Sequence, residues 1–470
     1  MNKWANNLSR LTIALFAVVA AGCQTLENKK HTQSFEQTLQ SGNYGSAAAI
    51  AISEGSIKED GSSKELLWSL QAGAALANAG DYAYSNAVLD NAESFMKIED
   101  LENLLKKGGE QLTAILLNNS FNDYDPAVYD GVMVNTIKAV NFLKLKDYEN
   151  ARIEFNRSME RQRLAEEFFR KKIEEQEKKK AEERSGGANV DQNLSSSRGA
   201  VDEQFPELSS WEVYPDFVNP YTDYMHSLFF FLTGSDSSDM GKARDSIRRV
   251  AGMVPDNEYI KVDLSVIDNV ARGKWTKRKL IPAVWVVFEN GLAPKIDEIL
   301  IPLPLVLATN ELHYAQIALP KLAEGQQAFP YLEVSTSNGN RVQTQELASI
   351  ERVIQTEFKK EYPYRVTQAV MSTTVKAVMQ HNLQKQGGVA SLLGALYQAA
   401  TTRADTRSWS ALPKEYQVAR LRRPADGKLT ISAPGNASAV EVALPDGQFA
   451  IIHVKATTSG SALTYDVFTL

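Results

Sequence analysis

AVWVVFEN, residues 283–290, is where the chain changes its pattern. The stretch is rich in β-branched and aromatic residues and runs into Gly291, a turn signal, so it predicts a strand. Downstream, Ile296 to Leu305, Tyr314 to Leu319 and Tyr331 to Thr336 read as further short strands. Pro302 and Pro304 mark the first of these as an edge or kinked strand. A helical interlude follows. Gln345 to Glu361 is amphipathic, Pro363 is suited to open a second helix reaching about Gln386, and Val389 to Thr402 continues as an Ala/Leu-rich helix. Strands then resume at Gln417 to Leu421, Lys428 to Ser432, Ala439 to Leu444, Gln448 to Lys455 and Leu463 to Phe468, with Pro445-Asp446-Gly447 as a hairpin turn. Residues 274–470 therefore predict a β-rich, sandwich-like domain with a helical insertion at about 345–402.

Upstream, the pattern is helical and repeats itself. Gly42-Asn43-Tyr44, Gly80-Asp81-Tyr82 and Lys146-Asp147-Tyr148 each separate an apolar helix from one with small residues at fixed offsets: Ala47; Ser85 and Ala92; Ala151 and Ser158, with Phe155 between them. Gly73 and Leu76 precede the second turn, and Ala139 and Phe142 the third. A looser copy spans Tyr224 to Pro255. Antiparallel helices approach closely only where side chains are small, and aromatics fill the gap to the next pair. These positions resemble the tetratricopeptide consensus, which implies a degenerate α-solenoid over 34–160 and 205–273; a generic Ala-rich helical bundle is the alternative. Between these blocks, 161–204 reads as a long charged helix and a linker. Sixteen of the residues from Arg161 to Arg184 are charged, with both signs mixed, which suits an exposed helix held by i,i+4 pairs. Ser185 to Gly199 is small and polar and reads as a flexible loop. The fold class expected overall is α+β.

The chain has 470 residues, one Cys and a formal charge of −6. One cysteine excludes an internal disulfide framework, and the acidic balance argues against nucleic acid as a partner. That cysteine closes a targeting segment. Lys3 and Arg10 precede an apolar run, Leu11 to Ala21, too short to span a bilayer. The run ends in Ala20-Ala21-Gly22-Cys23, which resembles a bacterial lipobox, with Ala20 where Leu is more usual. The resemblance implies a signal peptide over 1–22, lipidation of Cys23 and a tether over 23–33. Loss of Lys3 and Arg10 would take the charge from −6 to −8. Gln24 in place of Asp favours the outer membrane by the sorting rule of such lipoproteins.

Chemical motifs are sparse. The five histidines, His31, His226, His313, His381 and His453, show no metal-ligand spacing, and no nucleophile elbow or phosphate loop appears. No cofactor, metal or catalytic residue is expected. If extended, Asp405, Arg407 and Trp409 would share one face, as a partner or glycan contact or as an ion pair pinning the insertion to the returning strands. Glu289-Asn290-Gly291 reads as a strand end. Arg420, Arg422 and Arg423 could meet a phosphate or a lipid headgroup, or simply be solvated. Val389 to Ala400 is apolar nearly all round and reads as buried in the domain or an oligomer interface, with a membrane-interface position as the alternative.

Taken together, the lipobox, the degenerate repeats, Asn219-Pro220-Tyr221, Val287 to Pro294 and Ala404 to Trp409 followed by Leu412-Pro413 resemble an uncharacterised family of Gram-negative outer-membrane lipoproteins with tetratricopeptide-like N-terminal halves. Members are often encoded near other small outer-membrane lipoproteins, including relatives of penicillin-binding-protein activators. No activity is attached to that family, so the resemblance implies no catalytic residue. The function expected is a lipid-anchored, periplasm-facing protein-interaction scaffold. A structural subunit of a multi-lipoprotein or secretion-type assembly is the alternative, and a cell-wall enzyme a remote third.

Overall fold

The computed structural model describes residues 30–96, 124–185, 190–215, 217–306, 312–384, 404–435 and 439–469. The proposed signal segment, Cys23 and the Val389 to Ala400 stretch lie outside the described residues. The architecture is mixed α+β, with helices in the N-terminal part and sheets in the C-terminal part.

The repeated turns show why these residues start and stop helices. Helix α1 covers 30–40, α2 Tyr44–Glu54, α3 Leu66–Ala79, α4 Tyr82–Ser94, α5 Val128–Lys144 and α6 Tyr148–Ser185. Ahead of α2, α4 and α6 the chain takes a positive φ, at Gly42 (76°), Gly80 (90°) and Lys146 (62°). That left-handed residue ends one helix and turns the chain back. The following Asn or Asp then caps the next helix. Asn43 accepts from the Ser46 N–H, Asp81 from Tyr84 and Asp147 from Asn150. Small residues let the helices approach: a Cβ added at Gly73 would lie 2.4 Å from a Leu89 methyl, and Ser85 donates to the Gly73 carbonyl at 2.7 Å.

Helix α7 is Val190–Gln204, followed by the single-turn α8 at Glu207–Ser210. Much of the Ser185 to Gly199 stretch, expected as a flexible loop, is thus helical. Leu194, Val201 and Phe205 are buried at helical spacing, and α7 packs on strand β2 and on the long helix α12. Three good anchors outweigh the poor helix propensity of three consecutive serines. Helices α9 (Pro220–Thr233), α10 (Ser237–Met253) and α11 (Glu258–Ala271) complete this half. Asn219, Asp236 and Asn257 cap them.

The strands are β1 Ala283–Asn290, β2 Ile296–Val306, β3 Leu312–Leu322, β4 Glu333–Thr336, β5 Arg341–Gln343, β6 Gln345–Ser349, β7 Glu415–Arg422, β8 Lys428–Ser432, β9 Val440–Ala443, β10 Phe449–Ala456 and β11 Thr464–Thr469. They form a five-stranded sheet of order β11-β10-β1-β7-β6, a four-stranded sheet β5-β4-β8-β9, and a separate β2-β3 ribbon. Strand β1 runs parallel to β10 and antiparallel to β7. Val284, Val286 and Phe288 face a core shared with Val334, Ile431 and Val442 of the four-stranded sheet. Trp285 and Val287 point the other way, into the core shared with the helices. The layering is helices, five-stranded sheet, four-stranded sheet.

Two details of the expected topology change. Pro445-Asp446-Gly447 does not close a hairpin. Strand β9 pairs with β8 in one sheet and β10 with β1 and β11 in the other, so the turn carries the chain between layers. Among the described residues, the helical interlude is a single helix, α12 (Ile350–Gln384), with Pro363 inside it, and residues 345–349 belong to β6.

Gly291 ends β1 with φ +73°, and a Cβ there would sit 1.8 Å from the Gln326 carbonyl oxygen. Gly291→Ala should therefore cost on the order of 3 kcal/mol, from the clash and the strained φ together. Urea unfolding checks this; a midpoint unchanged from the parent would contradict the assigned close approach.

Candidate functional site

The helix-facing side of the five-stranded sheet is apolar at one end and charged at the other. Side chains alternate along a strand. Hence Phe449, Ile451, His453 and Lys455 of β10 share a face, as do Trp285, Val287 and Glu289 of β1. At the charged end, Glu289 Oε1 lies 3.1 Å from His453 Nε2. Lys144 from α5 and Lys455 from β10 both pair with Asp466 of β11, at 2.9 and 3.1 Å. Lys455 also donates to the Ala77 and Asn78 carbonyls, at 3.4 and 3.3 Å, at the C-terminal end of α3, where a cation complements the helix dipole. Tyr221 of α9 stacks on Tyr416 of β7 with ring centroids 3.5 Å apart.

Burial sets the protonation states. It pulls the Lys144 ammonium down to about 8, with the neighbouring Lys455 charge adding to the effect. Burial also raises the Glu289 carboxyl and lowers His453 far enough to keep it neutral. The two lysines hold Asp466 well below the usual carboxylate range against its own desolvation. A neutral His453 that donates from Nε2 to Glu289 leaves Nδ1 as an acceptor, and Nδ1 has no partner among the described residues.

These groups border a cavity with about 30 Å³ of free volume, lined by Asn141, Lys144, Tyr221, Glu289, Tyr416 and His453 among others. That is room for one or two waters, well short of a small-molecule site of several hundred Å³. Acid, base and ammonium groups are therefore gathered without space for a substrate of ordinary size. What the arrangement does is join the helices to the sheet: breaking a buried ion pair leaves an uncompensated charge.

Of two further polar clusters, one crosses the same boundary and the other joins two helices. Asp263 of α11 accepts from Tyr224 (2.8 Å) and from the Trp285 indole (3.0 Å), and pairs with Arg420 (2.9 Å). Glu357 of α12 accepts from the Val128 and Tyr129 N–H groups at the start of α5, at 2.7 and 3.1 Å. Beside it, Asp130 Oδ2 accepts from Tyr124 and from the Ala127 N–H.

The residues singled out in the sequence fare unevenly. Asp405 and Arg407 pair locally at 2.7 Å in a non-strand segment, so the alternation that would align them with Trp409 is not formed. Trp409 is 1% exposed in the core. Gln71 of α3 donates to the Ser408 carbonyl and accepts from the Ala411 N–H, which pins this segment to the helices. Arg420 is half-buried and pairs with Asp263, Arg423 donates to the Leu444 and Pro445 carbonyls, and Arg422 is exposed. Glu289 and His453, each taken alone in the sequence, are the pair that the parallel β1–β10 register brings together.

Comparison with family models, curated proteins and solved structures finds no match.

Asp130 provides a test by pH. Burial pushes its carboxyl up to about 7, and its Oδ1 has no partner among the described residues. The folded state thus keeps a proton that the unfolded chain releases near pH 4, and this contribution to stability falls as pH rises from about 4 to 7. Asp130→Asn should lose little at pH 5 and gain relative to the parent at pH 8. Urea unfolding of both proteins at the two pH values measures this; a parent-minus-variant difference that does not change with pH would contradict it.

Proposed function

We propose that this chain is a lipid-anchored outer-membrane protein, facing the periplasm, whose helical half is a degenerate tetratricopeptide-like scaffold for another envelope protein. The observation that carries the reading is the apolar run Leu11 to Ala21 ending in Ala20-Ala21-Gly22-Cys23. The helical hairpins support it, since three of them are turned and capped by the same Gly/Lys-Asn/Asp-Tyr device. Such arrays present extended surfaces to peptides and helices. Leu145, Tyr148 and Ile153 are exposed apolar side chains around the α5–α6 turn, where a partner could dock.

A structural subunit of a multi-lipoprotein assembly is the second reading. The β2-β3 ribbon favours it, because helices α7 and α12 pack against the ribbon while Leu300 and Pro302 are exposed on its other side.

The anchor is tested by Cys23→Ser in cells, following palmitate incorporation and fractionation after a high-salt wash. The parent should be labelled and stay with membranes through the wash; the variant should be unlabelled and released. Equal retention of both after the wash would overturn the anchor. A photo-crosslinker at Ile153 should give discrete protein adducts, and their absence would count against the scaffold.

A further inference from the structure

We propose that the turn between α11 and β1, residues 272–282, is a second membrane contact that binds an anionic phospholipid surface independently of any acyl anchor. The turn reads Arg272-Gly273-Lys274-Trp275-Thr276-Lys277-Arg278-Lys279-Leu280-Ile281-Pro282, five cations in eleven residues of an otherwise acidic chain. Lys277 alone turns inward, donating to the Phe231, Leu232 and Gly234 carbonyls at the end of α9, at 3.2, 2.8 and 3.1 Å. Trp275 is held to the end of α11 by its N–H on the Asn269 carbonyl, and Gln448 holds the Leu280 carbonyl at 2.9 Å. The turn is thus fixed from inside, while Lys274, Arg278 and Lys279 are exposed.

No ion pair or side-chain hydrogen bond engages these three among the described residues, and the same holds for exposed Arg422, whose strand position faces Ala283. Arg423, next along, donates its N–H to the Pro282 carbonyl. Of the flanking acids, Asp268 is already shared between Arg248 and Arg272, and Asp446 lies on the turn before β10. The local charge is strongly positive where the whole chain is −6.

Charge alone would suit any polyanion. The apolar residues select a bilayer. Trp275 is 46% exposed and Ile281 59%, one on each side of the Lys277–Lys279 turn. An exposed Trp among cations fits the headgroup region, where an indole buries its ring and keeps its N–H hydrated, and basic residues gain from anionic lipid. Stacking on a single-stranded polyanion would use Trp275 but gives Ile281 nothing to bury against.

The proposal shares with the preceding reading only the presence of a membrane, and the test separates them by using the full chain with Cys23→Ser throughout. Co-sedimentation is measured on vesicles containing phosphatidylglycerol and on pure phosphatidylcholine vesicles. Binding to the neutral vesicles reports the apolar N-terminal run; the excess on phosphatidylglycerol is the readout. Each cation contributes roughly a factor of five at an anionic surface, so changing Lys274, Arg278 and Lys279 together to Gln should lower the excess affinity about a hundredfold. High salt should abolish the excess in the parent. Trp275→Phe should remove a blue-shifted part of the emission that appears only on the anionic vesicles. An excess that is the same for parent and triple variant overturns the proposal. So does a parent that binds heparin but shows no excess on phosphatidylglycerol.

Discussion

Strand β1 is buried on both of its faces and hydrogen-bonded along both of its edges, and the layers of the protein are arranged around that fact. One face, through Val284, Val286 and Phe288, builds the core between the two sheets. The other, through Trp285 and Val287, enters the core shared with the helices. A strand so enclosed has no solvated side on which to place polar residues, which explains its nearly continuous apolar run. The same enclosure forces any charge on the helix-facing side to find partners inside the protein. Glu289 does so at the end of the strand, with His453 beside it and the Lys144–Asp466–Lys455 group close by.

The helices and the five-stranded sheet are therefore joined by oriented contacts as well as by apolar burial. Apolar surfaces can slide over one another with small loss. A lysine reaching the carbonyl end of α3 and an aspartate shared by a tyrosine, an indole and a guanidinium cannot. Desolvating such groups is costly and their net stabilisation is small, but their geometry selects one docking of helices on sheet over its neighbours.

Much of this was legible in the sequence, for identifiable reasons. The strands β1, β7, β8 and β10 stand out because buried strands carry dense β-branched and apolar runs between turn residues. The helix turns stand out because a left-handed residue and a side-chain cap admit few residue types. What escaped was whatever depends on partners remote in the chain. The small, polar stretch Ser185 to Gly199 gives little sign of order by itself, and the surfaces that bury Leu194, Val201 and Phe205 come from β2 and α12. Pro445-Asp446-Gly447 has hairpin chemistry, but pairing decides which sheet each flanking strand joins. Glu289 and His453 gave no motif, since their proximity arises from parallel pairing between distant segments. A hint was present in β10, where His453 and Lys455 occupy alternate positions of an otherwise apolar strand.

The order of the layers also bears on how the chain is made. Ala283 pairs with Arg422 on one edge of β1 and with Phe449 on the other. As the polypeptide emerges from its N-terminus, its most apolar strand precedes both partners by a long interval, while the helical hairpins close from nearby residues. Local helices form early and such distant strand pairings late. Until the last strands arrive, the helical half carries an open sheet-binding face and an unpaired apolar segment, the kind of surface that aggregates or recruits a chaperone. Pairing of β7 and β10 with the two edges of β1 is what brings that exposure to an end.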